Sequence, residues 1–147
     1  AYGAELETEY NVVEAGMTTP KLKEQDFIGR TAHEKHRAEK PVTTLCTLYV
    51  DDHKSKSGIK RYMMGKEPIL TLDGKTIEDA HGRRSYVTSA GSAPSLGKHI
   101  LMSYIPTELA EVGNKFLVEY LGEQYPCHIA GVGATPMFDS SNERILG

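Results

Sequence analysis

The chain has 147 residues, 39% hydrophobic and 25% charged, which is enough for one domain with a sizeable core and too little for two generous ones. That composition excludes disordered and fibrous classes. A net charge of −3, with no run of Lys or Arg longer than two, argues against nucleic acid as the main partner, because phosphate neutralisation needs a clustered basic face.

No apolar run approaches a membrane span, and the opening "AYGAELETEY" lacks the charged and apolar regions of a signal peptide. The expectation is a soluble, cytoplasmic chain. Residues 1–25 contain Gly16 and Pro20, which break any long element, so they read as a connecting arm that packs on something. "DFIGRTAHEKHRAE" (26–39) reads as one short amphipathic helix with Asp26 as its N-cap. His33 and His36 share a face of that helix, but with no Cys or second His pair in range they make no metal site.

After Pro41 the pattern becomes β-branched and alternating in "VTTLCTLYV", which sets a boundary near residue 40 between the arm with its helix (1–40) and a β domain (41–147). "HKSKSGIKR" (53–61) is the only basic cluster, either a solvated hairpin tip or a contact for an anionic ligand or partner. In "EPILTLDGKTIED", Asp73-Gly74 predicts a type I′ hairpin turn, since such turns need positive φ at both central residues. "RRSYVTSA" and "LGKHILMSYI" flank a small-residue loop over 88–97. The loop is either an anion-binding nest backed by Lys98 or a tight corner rigidified by Pro94. "PTELAEVG" (106–113) reads as a one-turn helix, and Gly122-Glu123 as a second tight turn with Phe116, Val118 and Tyr120 on one face before it. Cys46 and Cys127 fall within strand-like runs, which predicts buried free thiols. The sum is a mainly β fold: a small antiparallel Greek-key or jelly-roll-like barrel of six or seven strands, with an N-terminal arm and one short helix.

No G-x-S-x-G elbow, P-loop or H-E-x-x-H motif occurs, and "GVGATP" (131–136) lacks the spacing and the following helix of a dinucleotide fingerprint. No catalytic residue can be assigned from motifs.

The order "EPIL", then "GRRSYVTSAGSAPSLGKHILMSYIPTELAEVG", then "TPMFD" resembles the C-terminal domain of the glycine cleavage T-protein (aminomethyltransferase) family. "EYNVVEAGM" (9–17) and "DFIGRTA" (26–32) extend the resemblance to most of the chain, from about residue 9 to 139. The same domain ends dimethylglycine and sarcosine dehydrogenases and folate-dependent O-demethylases. The resemblance therefore implies a barrel that closes a folate channel in a tetrahydrofolate-dependent aminomethyl- or methyltransferase, with tetrahydrofolate as the cofactor. It also implies that the catalytic and pterin-binding groups lie in upstream domains of the same polypeptide, so that this piece is inactive alone. By resemblance, Arg144, just past "TPMFD", and Lys23 and Arg30 on the arm are the candidate cations for the acidic tail of folate, against ordinary surface charges in each case.

The sequence departs from the family in two places. Residues 51–66 read as an enlarged hairpin, fitted to another substrate, a dimer contact or a mobile tip. Arg83 and Arg84 sit on a strand where alternation sends one to solvent and leaves the other needing a partner. A non-catalytic interaction module stands as the alternative, docking a carrier protein or a second copy through Val12, Val13, Met17 and Leu22.

Overall fold

The computed structural model describes residues 1–17, 24–141 and 143–146. Lys23 and Leu22 lie outside the described residues. The β-branched run after Pro41 forms β1 (Thr43–Val50), followed by the two-residue β2 (Ile69–Leu70), β3 (Val87–Ala93), β4 (Lys98–Pro106), β5 (Lys115–Tyr120) and β6 (Glu123–Val132). These six strands form one sheet in the order β2-β5-β6-β1-β4-β3, antiparallel at every step. The sheet curls until its edges meet: Val87 N–H donates to the Glu67 carbonyl (2.7 Å), Ile69 N–H to the Ser85 carbonyl (3.1 Å), and Pro68 bridges Tyr86. Closure leaves little unpaired edge and encloses a single core.

That core follows from period-two alternation. Cys46, Leu48 and Val50 point inward from β1, Phe116 and Val118 from β5, and Tyr125, Cys127 and Ile129 from β6, all at 6% exposure or less. Each fully buried aliphatic contributes about 1.5–3 kcal/mol relative to an exposed one. β1 is covered on its outer face too, because the arm packs there. Ala15, Leu45 and Tyr104 form a second buried cluster, with Leu6, Tyr10 and Met102 packed around it.

Several local expectations change. The helix α1 spans Arg30–Ala38, four residues later than Asp26, with Gly29 at its N-cap in the left-handed region (φ 88°). The Asp26 carboxylate instead accepts from the next residue, Phe27 N–H (3.0 Å), and caps no helix. Most of 88–97 is not loop: Ser89 to Ala93 pair with β4, and the connection shrinks to Pro94–Gly97. Residues 107–113 make successive turns in place of a helix, with Pro106 ending β4.

Both hairpins exist with different turns. At Asp73-Gly74 only Gly74 has positive φ (78°), and Gly74 N–H donates to the Thr71 carbonyl while Thr71 N–H donates to the Lys75 carbonyl. That is a type I turn closed by a glycine bulge. At the β5–β6 hairpin Tyr120 pairs with Glu123, so the loop is Leu121-Gly122, one residue earlier than expected, and both residues have positive φ (52° and 75°) as type I′ requires. A short α2 (Glu143–Leu146) follows the barrel.

Candidate functional site

Arg83 clamps the arm to the barrel. Arg83 leaves the segment before β3 and points its fork at two buried carboxylates: Nη2 to Glu14 Oε1 (2.6 Å), Nη1 to Glu14 Oε2 (3.2 Å) and Nε to Asp79 Oδ2 (2.7 Å). Nη1 also donates to the Glu9 carbonyl. Its guanidinium lies 4.5 Å from the centroid of the Tyr10 ring, and Tyr10 stacks flat on Tyr104 at 3.7 Å. Burial works against the Arg83 charge, but the Glu14 and Asp79 carboxylates more than offset it. Burial likewise pushes the Asp79 carboxyl up, yet the Arg83 and His81 backbone donors and the Arg83 side chain hold it below the usual range. Arg84 turns outward to Glu78 (2.9 Å) with a 71% exposed side chain, as alternation predicts.

Around this clamp the arm fastens residue by residue. Tyr104 OH donates to the Glu5 carbonyl (2.6 Å), Thr88 and Ser89 hydroxyls donate to the Glu5 carboxylate, and Tyr86 OH donates to Glu7. Leu45 N–H donates to the Glu14 carbonyl (2.9 Å). Gly16 crosses so close to Gly133 that a Cβ on it would stand 2.8 Å from the Gly133 Cα, so only glycine fits this crossing. Tyr10 is pushed up to about 12 mainly by burial, and burial also raises Tyr86 and Tyr104, so all three phenols are neutral at ordinary pH.

The arm's outward side is apolar. Tyr2, Leu6, Tyr10, Val12 and Met17 line a cavity of about 450 Å³, with Glu7 and Thr8 in its wall. Tyr2 is 93% exposed and Met17 50%. Two of the four residues read as a docking face, Val12 and Met17, therefore lie in this groove, while Val13 is half-buried. The groove's other members, Tyr2, Leu6 and Tyr10, recur every four residues between glutamates, the signal by which the sequence marks them.

Of the cations expected for folate, Lys23 lies outside the described residues, and Arg30 and Arg144 make local contacts. Arg30 uses its fork locally, Nε on Glu34 Oε1 (2.7 Å) and Nη1 on the Glu24 carbonyl (2.8 Å). Arg144 sits exposed in α2, its guanidinium carbon 4.9 Å from the centroid of the Phe138 ring, while its main-chain N–H donates to the Asp139 carboxylate (3.2 Å). Among the described residues no group of three or more His, Cys, Asp or Glu is placed to hold a metal ion. The clamp's carboxylates are occupied by arginine and its phenols are neutral. The arrangement therefore binds and positions, and holds no assembled acid–base pair or nucleophile.

An antiparallel β-barrel with a docked N-terminal arm is the class these features define. Residues 44–139 match the family described as glycine cleavage T-protein C-terminal barrel domain, and the chain belongs to it. Among its relatives, an aminomethyltransferase of Koribacter versatilis is 32% identical over 123 residues, covering 80% of this chain and 28% of its own length. One from Prochlorococcus marinus is 31% identical over 130 residues, 87% of this chain and 31% of that protein. Human mitochondrial dimethylglycine dehydrogenase is 32% identical over 133 residues, 88% of this chain and 14% of that protein. The chain thus spans about a third or less of the length of the curated relatives it matches. The crystal structure of the glycine cleavage system aminomethyltransferase T from Bartonella henselae superimposes with a TM-score of 0.55 at 17% identity, over 70% of this chain and 25% of that one, a likeness of fold.

Proposed function

We propose that this chain is the C-terminal barrel of a tetrahydrofolate-dependent one-carbon transferase, closing the folate channel and inactive by itself. The observation that carries the reading is the continuous match of the barrel to the family over 44–139, joined to relatives named aminomethyltransferase that are about three times longer. Moving a one-carbon unit requires groups that fix donor and acceptor in attack geometry and stabilise a developing cation. This barrel offers binding surfaces instead. In this reading the arm groove of Tyr2, Leu6, Tyr10, Val12 and Met17 receives the upstream domains of the same polypeptide. The Arg144 guanidinium beside Phe138 suits a carboxylate of the folate tail, since two parallel N–H donors match two oxygens. Lys23 and Arg30 would act only secondarily, Arg30 because its fork is already spent. Two buried free thiols fit a reducing, cytoplasmic setting.

Calorimetric titration of triglutamyl tetrahydrofolate into the 147-residue chain and into the full polypeptide tests this. Binding to the full polypeptide alone makes the barrel a lid. Binding to the chain that is lost with Arg144→Ala gives it a tail site of its own, and no binding to either defeats the reading. A second reading has equal identity behind it: a flavin-linked demethylating dehydrogenase, since dimethylglycine dehydrogenases match 88% of this chain at 32%. A bound yellow cofactor in the full polypeptide separates the two.

A further inference from the structure

At the end of the barrel where β3 turns into β4, three rings converge. His53 and His99 each stand edge-on to Tyr62, with centroids 4.9 and 5.3 Å from it and 6.2 Å from one another. His99 is only 5% exposed and points inward, on the same side of β4 as Leu101 and Ser103. Neither of its ring nitrogens has a hydrogen-bond partner, and neither does Nδ1 of His53. The Met63 main chain acts on the His99 ring without making a hydrogen bond of normal geometry.

The rings line a cavity of about 240 Å³, whose wall continues through Lys60, Ser92, Ala93, Pro94 and Gly97. No carboxylate lines it. The acid that acts on His99 is Glu67, whose two oxygens already accept from Met64 N–H (2.7 Å) and Gly65 N–H (2.8 Å). Lys98 contributes only wall: its ammonium lies 5.9 Å from the centroid of the Tyr49 ring, on the outer face of the sheet. In a chain of net charge −3, this is a concave place with donors and no acceptor charge.

Buried polar groups are normally paired, because desolvating a donor without a partner is costly. Each imidazole carries at least one N–H, Ser92 a hydroxyl and Lys60 an ammonium, and all four are matched by one group with several acceptor oxygens. We infer that this cavity binds a small oxyanion, a phosphate or carboxylate group, through the ring nitrogens of His53 and His99 together with Ser92 and Lys60. The enlarged 51–66 segment then has a use: its bridge between Lys54 and Lys60 sets Lys60 against the rings. The site uses none of the residues invoked for folate, so its failure and that of the folate reading are separate.

The test is a titration of the 147-residue chain, followed through the histidine ring NMR signals, with inorganic phosphate and with glutarate in parallel at constant ionic strength. His53 and His99 should shift saturably while His33, on α1, stays still. Lys60→Ala should weaken binding about tenfold, and Lys98→Ala, which removes an equal charge from the outer face, should change it less than about twofold. Saturation also moves the His99 titration midpoint upward, because burial and the neighbouring His53 disfavour its charged form and a bound anion favours it. Saturation by phosphate alone assigns a phosphate ligand, and by glutarate alone a carboxylate. Should His99 prove essential to folding, His53→Ala keeps the test open, since His99 remains as the reporter and must lose its saturable shift. Shifts that never saturate, that His33 shares, or that Lys60→Ala and Lys98→Ala weaken equally would overturn the site.

Discussion

Arg83 and Arg84 are neighbours in sequence and opposites in environment, because successive residues of extended chain face opposite sides, here in a segment bridged to Glu78. The outward pair of Arg84 with Glu78 contributes little to stability, as exposed pairs do, whereas Arg83 meets carboxylates whose side chains are 3% and 2% exposed. Burial decides the cysteines in the same way. Cys46 and Cys127 are fully buried, and burial pushes both thiols up to about 12, with the Asp51 charge adding to it at Cys127. The thiolate is the reactive form, so at pH 8 a disulfide reagent should label neither cysteine in the folded protein and both in urea. Fast labelling of either under native conditions would mean that the β1–β6 ladder, which holds both residues, opens far more readily than a closed core allows. The burial of these thiols was legible because each lies in an apolar alternating run. The inward turn of His99 was not, since one histidine at a strand end carries no periodic signal until its neighbours are known.

Hairpins show what an element's sequence can and cannot specify. Asp73-Gly74 marked its turn in place and Gly122 marked the other to within one residue, because glycine with φ above zero is what such turns need. The turn types were not legible: whether one or both central residues take positive φ depends on strand register, which is set by which side chains face the core. Thr88 to Ala93 reads as loop from the sequence, yet forms strand, for a related reason. Ser, Ala and Gly have no β propensity, and only pairing with the well-patterned β4 makes β3 extended. Leu121 bears the cost at the β5–β6 turn. It is 68% exposed, gains little from packing, and holds φ at 52°, where its Cβ crowds the following carbonyl. Asparagine tolerates that region, so Leu121→Asn should stabilise the protein by about 1 kcal/mol. Urea denaturation with an unchanged slope and a raised midpoint is the expected result, and an unmoved or lowered midpoint would show that Leu121 packs in solution.

At the scale of the molecule the arm and the barrel have separate cores, one of Ala15, Leu45 and Tyr104 and one inside the ring of strands. The arm's docking was foreseeable in outline from its apolar residues, but its clamp was not, because Glu14, Asp79 and Arg83 are scattered along the chain and meet only when the barrel closes. Two cores with a buried arginine clamp between them define two units of stability. Arg83→Met keeps the packing volume and removes the charge, leaving Glu14 and Asp79 buried without a cation, at a cost of about 3–5 kcal/mol if nothing moves. The arm has an escape, since undocking returns Glu14 to water without opening any strand of the barrel. Native-state hydrogen exchange should therefore show the Ala15, Met17 and Leu45 amides, which donate within the arm or to it, exchanging about a hundredfold faster or more. Strand amides of β4 and β6 should keep their protection. Equal loss of protection throughout would make arm and barrel one cooperative unit, and no loss anywhere would mean that the stacked Tyr10 and Tyr104 rings, not the arginine, hold the arm in place.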